Sequence, residues 1–223
     1  MRFFKKFSVI LLFILLIASS NLSAMGLGFL FGVGTGKSTL WNTERSNNKF
    51  DDDMSRITFG FLLDTRVAKQ GLINYRLNAA FQILTYKDLE KDFTKMVGLV
   101  FDNTLGFGVV QTDLIRLYVG PQLRLSYHLG RVEYTVNYNY TYVQQMIGAG
   151  IGIGPNVGIN FNIGKLITIT AETGYRFNYT YNEWKDDFYT NKENIEITDS
   201  EYFFNLGLLF RINDVFSTKL SKQ

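Results

Sequence analysis

One segment of the chain alternates between apolar and small polar residues so regularly that few folds can accommodate it. In 147–163 every odd position is apolar, including Pro155, and every even position is Gly or Asn. Successive side chains of a β-strand point to opposite faces, whereas a helix would mix the two classes around its axis and be destabilised by the glycines. The segment is therefore predicted to be a strand with one wholly apolar face.

The same period of two recurs along most of the chain and predicts eight strands. Long polar connections, at about 37–53, 87–95, 129–145 and 182–200, alternate with connections of only a few residues. Short turns on one rim and long loops on the other are typical of outer-membrane barrels. The predicted fold class is all-β, an eight-stranded antiparallel up-and-down transmembrane β-barrel over 25–212, with a short periplasmic tail over 213–223. The predicted strands are 26–36, 54–66, 72–86, 96–110, 114–128, 146–163, 166–181 and 201–212.

The charged residues of the strands indicate which face meets lipid. All seven strand arginines lie at the polar alternating positions, and four carboxylates share their face. An Arg or Lys facing lipid at the bilayer centre would cost about 2–4 kcal/mol, so we expect these charges inside a narrow lumen filled by side chains. Because arginines outnumber carboxylates by three, a wet, anion-tolerant pathway is the alternative to a salt-bridged plug. The predicted lumen network consists of Arg56, Asp64, Arg66, Arg76, Asp102, Arg116, Arg124, Glu172, Arg176, Glu201 and Arg211.

Several aromatic residues lie near the strand ends on the side of the long connections. Membrane barrels carry aromatic girdles at the membrane–water interface, whereas cross-strand pairing in a soluble sheet does not explain a bias toward strand ends. A soluble lipocalin-like barrel, with its apolar face inside, is the alternative. The predicted interface aromatics are Trp41, Tyr86, Tyr127, Tyr179, Tyr181 and Trp184.

The N-terminus has the pattern of an export signal. Three cationic residues precede an apolar run over 9–18, and small or polar residues follow up to Ala24. We predict a secretory signal peptide over 1–24, cleaved after Ala24 or, as second choice, after Ser20. An uncleaved anchor is the alternative, but the apolar run is shorter than the ~20 residues of a comfortable membrane-spanning helix. The prediction places the protein in the outer membrane of a diderm bacterium.

The formal net charge of +3 gives no reason to expect a nucleic-acid partner. The three basic residues of the signal peptide, Arg2, Lys5 and Lys6, account for it, so that 20 basic and 20 acidic residues remain (23 − 3 against 20).

No motif predicts catalysis, a metal or a cofactor. The chain has no Cys and one His, which excludes disulfides, thiol nucleophiles and His-rich metal sites. The glycine-rich segment 32–38 fails as a phosphate-binding loop, because Phe31 stands where the first glycine should be. Ser126 and His128 share a face, and an acyl-transfer site is the alternative to a histidine at the barrel rim. We expect a non-enzymatic protein without cofactor.

The last strand, 201–212, is alternating and rich in aromatics, and it resembles the C-terminal strand through which the envelope insertion machinery recognises outer-membrane proteins. Over 25–212 the chain resembles the small eight-stranded outer-membrane barrels, a broad group that includes the OmpX, OmpW and OmpA transmembrane types. The resemblance lies in architecture and transfers no site residue. Members of this group serve as adhesins, anchors, small channels or, rarely, lipid-modifying enzymes, and the fold does not choose among these roles.

The expected role is therefore structural, with interactions at the cell surface. The barrel would contact outer-membrane lipid, and an extracellular ligand would bind at 37–53, 129–145 or 182–200. A narrow channel for small solutes and a soluble periplasmic binding barrel are the alternatives. The alternating segment 132–143 is expected to be a hairpin extension. Otherwise it would be a spanning strand, and 87–113 would be one long loop.

Overall fold

The computed structural model is a closed barrel of eight strands, each antiparallel to the next and the last paired with the first. It describes residues 25–42, 49–67, 71–87, 96–136, 140–186 and 192–212. The predicted fold class and strand order are confirmed. The predicted signal peptide and C-terminal tail lie outside the described residues. The strands are β1 (Gly26–Asn42), β2 (Lys49–Asp64), β3 (Ile73–Tyr86), β4 (Met96–Gln111), β5 (Ile115–Val136), β6 (Tyr140–Ile163), β7 (Ile167–Asp186) and β8 (Lys192–Arg211).

Within the described ranges, no helix is long and apolar enough to cross a membrane.

The outer surface of the barrel carries a continuous belt of exposed apolar side chains. Phe59, Phe81 and Tyr202 are more than 60% exposed, while the residues next to them in the chain point inward. A soluble barrel would bury this face, so the lipocalin-like alternative is wrong and the belt marks the membrane-spanning part. The apolar belt comprises the outward residues of 27–33, 57–63, 73–83, 97–109, 115–129, 147–163, 167–181 and 202–210.

The strands are longer than predicted, and most of the predicted loops 37–53, 129–145 and 182–200 belong to them. β1 continues to Asn42, β2 begins at Lys49 and β8 begins at Lys192. Above the belt the alternation persists with opposite polarity. Lys37 and Thr198 point outward there, while inward positions are apolar or buried. The prediction of loops was wrong because polar outward residues were interpreted as loop sequence.

The described parts of the segment 132–143, which are 132–136 and 140–143, pair with each other as the predicted hairpin extension requires. Glu133 pairs with Val143 and Val136 with Tyr140, so β5 and β6 continue together above the belt. β4 spans the barrel wall as Met96–Gln111, which excludes the alternative in which 87–113 is one loop.

Two of the short connections require glycine. Gly71 and Gly164 have φ angles of 88° and 59°, in the left-handed region that side chains disfavour. Both lie at the end of the barrel opposite the long connections, where tight turns were predicted.

The two prolines interrupt the hydrogen-bond ladder at one height. Pro121 and Pro155 oppose each other across β5 and β6, and the pairing is broken beside each of them, toward β4 and toward β7. Proline has no N–H to donate. Near the first gap, Asn103 on the lipid-facing side donates to the carbonyl of Phe101 (3.2 Å) and accepts from the Tyr75 hydroxyl (2.6 Å). These hydrogen bonds account for a polar residue inside the belt.

Replacing Phe59 by Arg tests the belt. We expect the free energy of unfolding to fall by about 2–4 kcal/mol, because the guanidinium would face hydrocarbon. Ser55→Arg, on the same strand and outward but above the belt, should cost no more than about 1 kcal/mol. Denaturant unfolding of the protein in phospholipid vesicles measures both, and equal effects of the two substitutions would contradict the placement of the belt.

Candidate functional site: the lumen

The lumen is filled by charged and amide side chains that the strands carry inward at alternate positions. Ten of the eleven predicted network residues are buried; the exception is Arg66. The buried ones form two layers and a rim. The lower layer surrounds Glu172, and the upper layer surrounds Glu201.

Glu172, on β7, is the centre of the lower layer. Its Oε1 accepts from the amides of Asn78 (3.0 Å) and Asn205 (2.8 Å). Its Oε2 accepts from the Arg76 guanidinium (3.1 Å) and the Tyr118 hydroxyl (3.2 Å). Strands other than β7 thus supply all four of these donors to one buried carboxylate. Hydrogen bonds to charged groups are about twice as strong as neutral ones, and they offset the cost of burying the charge.

Arg76 joins this carboxylate to a second one. Its Nη2 lies 2.8 Å from Asp64 Oδ2 and 2.7 Å from Asn160 Oδ1. The guanidinium carbon lies 4.9 Å from the centre of the Tyr118 ring, within range of a cation–π contact. Arg76 is 1% exposed and has protein partners on several sides.

The upper layer contains three arginines and two carboxylates. Arg124 binds Asp102 with two hydrogen bonds, of 2.6 and 2.7 Å. Arg176 donates to Glu201 (2.8 Å) and lies 3.1 Å from Asp102, and Arg56 pairs with Glu201 from the other side. The layer therefore ties together β2, β4, β5, β7 and β8.

Gln122 connects the two layers. Its Oε1 accepts from Arg176 Nη1 (2.6 Å), and its Nε2 lies 3.4 Å from Glu172 Oε1. Two apolar clusters adjoin the charged layers. The smaller one lies beside the lower layer, and the larger one extends past the belt. The lower cluster consists of Leu30, Leu62, Val67 and Leu209, and the upper one of Leu40, Met54, Leu84, Tyr86, Met96, Met146, Ile195 and Ile197.

Three predicted network arginines lie at the turn end of the barrel. The Arg66 guanidinium donates to the carbonyl of Ile73 (2.9 Å) and is only half-buried, so its assignment to the lumen network was wrong. The reason is that β2 ends at Asp64, and Arg66 belongs to the turn. Arg116 and Arg211 are buried and donate to the carbonyls of Leu72 and Gly164.

The predicted excess of cations in the lumen is also wrong. Two further carboxylates, Asp52 and Asp199, are buried and point inward in parts of β2 and β8 that were predicted to be loops. The described lumen thus holds as many carboxylates as arginines, which removes the argument for an anion-tolerant pathway. The buried arginines are Arg56, Arg76, Arg116, Arg124, Arg176 and Arg211, and the buried carboxylates are Asp52, Asp64, Asp102, Glu172, Asp199 and Glu201.

The predicted interface aromatics lie at different places. Tyr127, Tyr179 and Tyr181 point outward in the upper part of the belt and are 41–45% exposed. Trp41 also points outward, but Thr35, Lys37 and Thr39 separate it from the belt on β1.

Tyr86 was wrongly assigned to the interface. It is 3% exposed because it stands at an inward position of β3 and packs in the upper apolar cluster. Trp184 lies within β7, where its backbone pairs with Met146, and its side chain lies outside the described part of the structure.

Ser126 and His128 are not joined as an acyl-transfer site would require. The imidazole Nε2 contacts the amide of Gln82, and the hydrogen bonds of the described residues include none between Ser126 and His128. A nucleophile and its base need to lie within hydrogen-bond reach.

The arrangement closes the lumen rather than opening it. Side chains from opposite walls meet in both layers, and the cavity between Leu30, Leu62 and Glu172 has room for about one water molecule. An eight-stranded barrel is just wide enough to be filled in this way.

Comparison with known proteins shows the fold. Neither a protein-family model nor a curated protein sequence matches this chain. Among solved structures, the outer membrane protein OprG from Pseudomonas aeruginosa superposes with a TM-score of 0.62 at 10% identity, covering 87% of this chain and 98% of OprG. This chain has the fold of a small outer-membrane β-barrel.

Two further outer-membrane structures match over most of their lengths. A major outer membrane protein from Thermus thermophilus gives a TM-score of 0.49 at 11% identity, covering 83% of this chain and 99% of that one. Neisserial surface protein A gives 0.34 at 12% identity, covering 79% and 95%.

Three buried polar residues that sequence reasoning placed outside the lumen of this outer-membrane barrel share one cause. Asp52, Asp199 and Ser38 stand in strand extensions that were predicted to be loops. On β8, the alternation of Ile195, Ile197 and Asp199 against outward Thr198 would have placed Asp199 inside, had the pattern been followed beyond the belt.

Glu201→Gln tests the upper layer of this outer-membrane barrel. Three arginines surround this carboxylate, and removing one partner of a buried ion pair typically destabilises by about 3–5 kcal/mol. Glu196→Gln, outward on the same strand, should change the free energy of unfolding by less than about 1 kcal/mol. Unfolding in vesicles measures both, and a neutral Glu201→Gln would contradict the role of the network in closing the barrel.

Proposed function

We propose that this protein is an integral outer-membrane barrel, exported by its N-terminal signal, that presents its long connections at the cell surface and binds a partner there without catalysis. The observation that carries the proposal is the contrast between the two parts of the barrel. The membrane-spanning part is closed by ion pairs, while the wall continues well above the belt.

The closed lumen supports a structural role for the spanning part. Arg124, Arg176 and Glu201 meet between opposite walls, and apolar clusters adjoin the charged layers. A path for solutes would require these side chains to separate, against several charge-assisted hydrogen bonds. The spanning part therefore serves as an anchor.

The extended wall supports a role at the surface. β1, β2, β5, β6, β7 and β8 all continue above the belt, and the described outward residues there include Lys37, Asp51 and Thr198. The strand ends at Asn42, Val136 and Asp186 lie above the belt. A partner at 37–53, 129–145 or 182–200 would thus meet a strand framework together with its connections, and not isolated loops.

The orientation can be tested with single cysteines, since the chain has none of its own. Asn42→Cys lies at the end of β1 on the side of the long connections, and Asp113→Cys lies in the β4–β5 turn. A membrane-impermeant maleimide added to intact cells should label the first and not the second. Permeabilised cells should show labelling of both.

The reverse labelling pattern would mean that the barrel is inserted the other way up. Labelling of both cysteines only after permeabilisation, with the protein in the soluble fraction, would contradict the location in the outer membrane. Migration on a denaturing gel that changes with heating would provide an independent check of the folded barrel.

A narrow channel for small solutes is the second candidate, and the upper apolar cluster favours it. Met54, Met96 and Met146 line the lumen above the charged layers, and methionine side chains adapt readily to a guest molecule. Recording of the purified protein in planar bilayers separates the candidates. We expect no conductance steps, because the charged layers fill the lumen, and regular single-channel steps would favour the channel.

A further inference from the structure

Three buried side chains beside β6 have polar atoms without a protein partner. Asn178 and Asn182 lie on β7 and His128 lies on β5; all three point into the lumen and are at most 7% exposed. Among the described residues, no group bonds to either amide atom of Asn178, to Asn182 Oδ1 or to His128 Nδ1. Buried polar atoms of folded proteins almost always have a hydrogen-bond partner, in the protein or in a bound molecule. These atoms therefore indicate a ligand.

The register places the unpartnered atoms beside glycines of β6. Gly152 pairs with Asn178. Gly148 pairs with Asn182 on one side and with His128 on the other. A Cβ on Gly152 would lie 2.0 Å from Asn178 Oδ1, and one on Gly148 would lie 1.9 Å from Asn182 Oδ1. The missing side chains of β6 thus allow both amides to fold across this strand.

Two hydroxyl groups lie in the row between these amides. Ser126 of β5 and Thr180 of β7 pair with Gly150 from its two sides, and a Cβ on Gly150 would lie 2.7 and 2.6 Å from their hydroxyl oxygens. Ser126 points inward but is only half-buried, so side chains do not fill the lumen completely at this height. Successive rows on one face of a strand are about 7 Å apart, so the three rows extend over about 14 Å. We call their polar residues the polar track: Ser126, His128, Asn178, Thr180 and Asn182.

The unpartnered atoms of the polar track include a donor as well as acceptors. Asn178 Nδ2 carries hydrogens, whereas Asn178 Oδ1 and Asn182 Oδ1 only accept hydrogen bonds. A metal ion would bind the oxygens and leave the N–H groups unpaired. An anion would bind the N–H groups and be repelled by the oxygens. A hydroxyl group suits both, because it donates and accepts.

The surroundings of the polar track favour an uncharged ligand. Arg124 lies beside Gly152 at the lower end of the track, but its guanidinium is already paired with Asp102 by two hydrogen bonds. Buried apolar side chains border the central row, Val100 on the side of β4 and Ile197 on the side of β8. Polar groups of a ligand would therefore find their partners along the track.

From this geometry we propose that the polar track is a binding site for uncharged hydroxyl groups, supplied by a file of water molecules or by one small polyol. Each of the three rows offers two polar atoms, and a buried water needs two to four polar partners. The site lies inside the barrel and goes beyond the proposed surface partner. It does not depend on which way the barrel is inserted.

NMR of the whole protein in lipid nanodiscs tests the site. Cross-relaxation between water and the side-chain amide hydrogens should be detected at Asn178 and Asn182. Asn160 is the matched control, because this equally buried amide donates to Asp64 (3.2 Å) and accepts from Arg76 (2.7 Å). Its amide should show no contact with water.

Titration with glycerol distinguishes the two sources of hydroxyl groups. Saturable shifts of the Asn178 and Asn182 amide signals, with loss of the water contact, would identify a polyol as the ligand. An unchanged water contact would identify water. A site that shows neither water nor glycerol at Asn178 would overturn the proposal. Saturable displacement of the water by magnesium chloride or sodium phosphate would also overturn it, because the site would then bind ions.

Gly152→Ala tests whether the glycines of β6 form the site. The added methyl group would push the Asn178 amide into the track, so the contact of Asn178 with water or glycerol should be lost. Ile151→Ala, on the outward neighbour, is the control and should retain the contact. A contact that persists in Gly152→Ala would count against the site.

If Gly152→Ala does not fold, Asn178→Leu provides the second measurement. An amide buried without any ligand destabilises the barrel, so its replacement by leucine would raise the denaturant midpoint of unfolding. We expect the midpoint to fall, because the variant loses the hydrogen bonds to the bound hydroxyl group. An unchanged or raised midpoint would overturn the proposal.

Discussion

Charge neutralisation inside a lumen filled by side chains is the constraint on which the rest of this barrel depends. A buried carboxylate is tolerated only when several hydrogen-bond donors reach it. A buried arginine is tolerated only when carboxylate or amide oxygens accept hydrogen bonds from its guanidinium group. Glu172 and Glu201 meet this condition with donors from strands that are distant in the chain. The closing of the sheet and the filling of the lumen are therefore one event, because neither carboxylate is satisfied until the strands that carry its donors surround it.

The barrel changes polarity where it leaves the membrane. Within the belt its outside is apolar and its inside is charged. Above the belt Lys37 and Asp53 point outward while Met54 and Ile197 point inward, as in a soluble barrel. Lipid thus meets an apolar surface and water meets a polar one. The strands continue without a break from one part of the barrel to the other.

Alternation in the sequence was sufficient to predict the strands, their order and the inward arginines, because each of these follows from side-chain direction alone. It was insufficient for the strand ends. Inward Leu40 and outward Thr39 continue the period of two, but their polarity is opposite to that of the charged lumen and apolar exterior within the belt. The error in the count of lumen charges followed from this, since Asp52 and Asp199 lie in the misassigned segments. Which donors meet Glu172 could not be predicted either, because that depends on how the closed barrel brings distant strands together.

The glycine track of β6, from which the strand prediction began, is explained by the closed lumen. A Cβ on Gly158 would lie 2.1 Å from the Tyr118 hydroxyl oxygen, and one on Gly152 would lie 2.0 Å from the amide oxygen of Asn178. Side chains of the neighbouring strands thus pack against these glycines. The Tyr118 side chain crosses Gly158 to reach Glu172. A barrel selected to conduct would gain from an inner wall without side chains, but here the space is occupied from the adjacent strands. The glycines of β6 therefore allow the lumen to be closed.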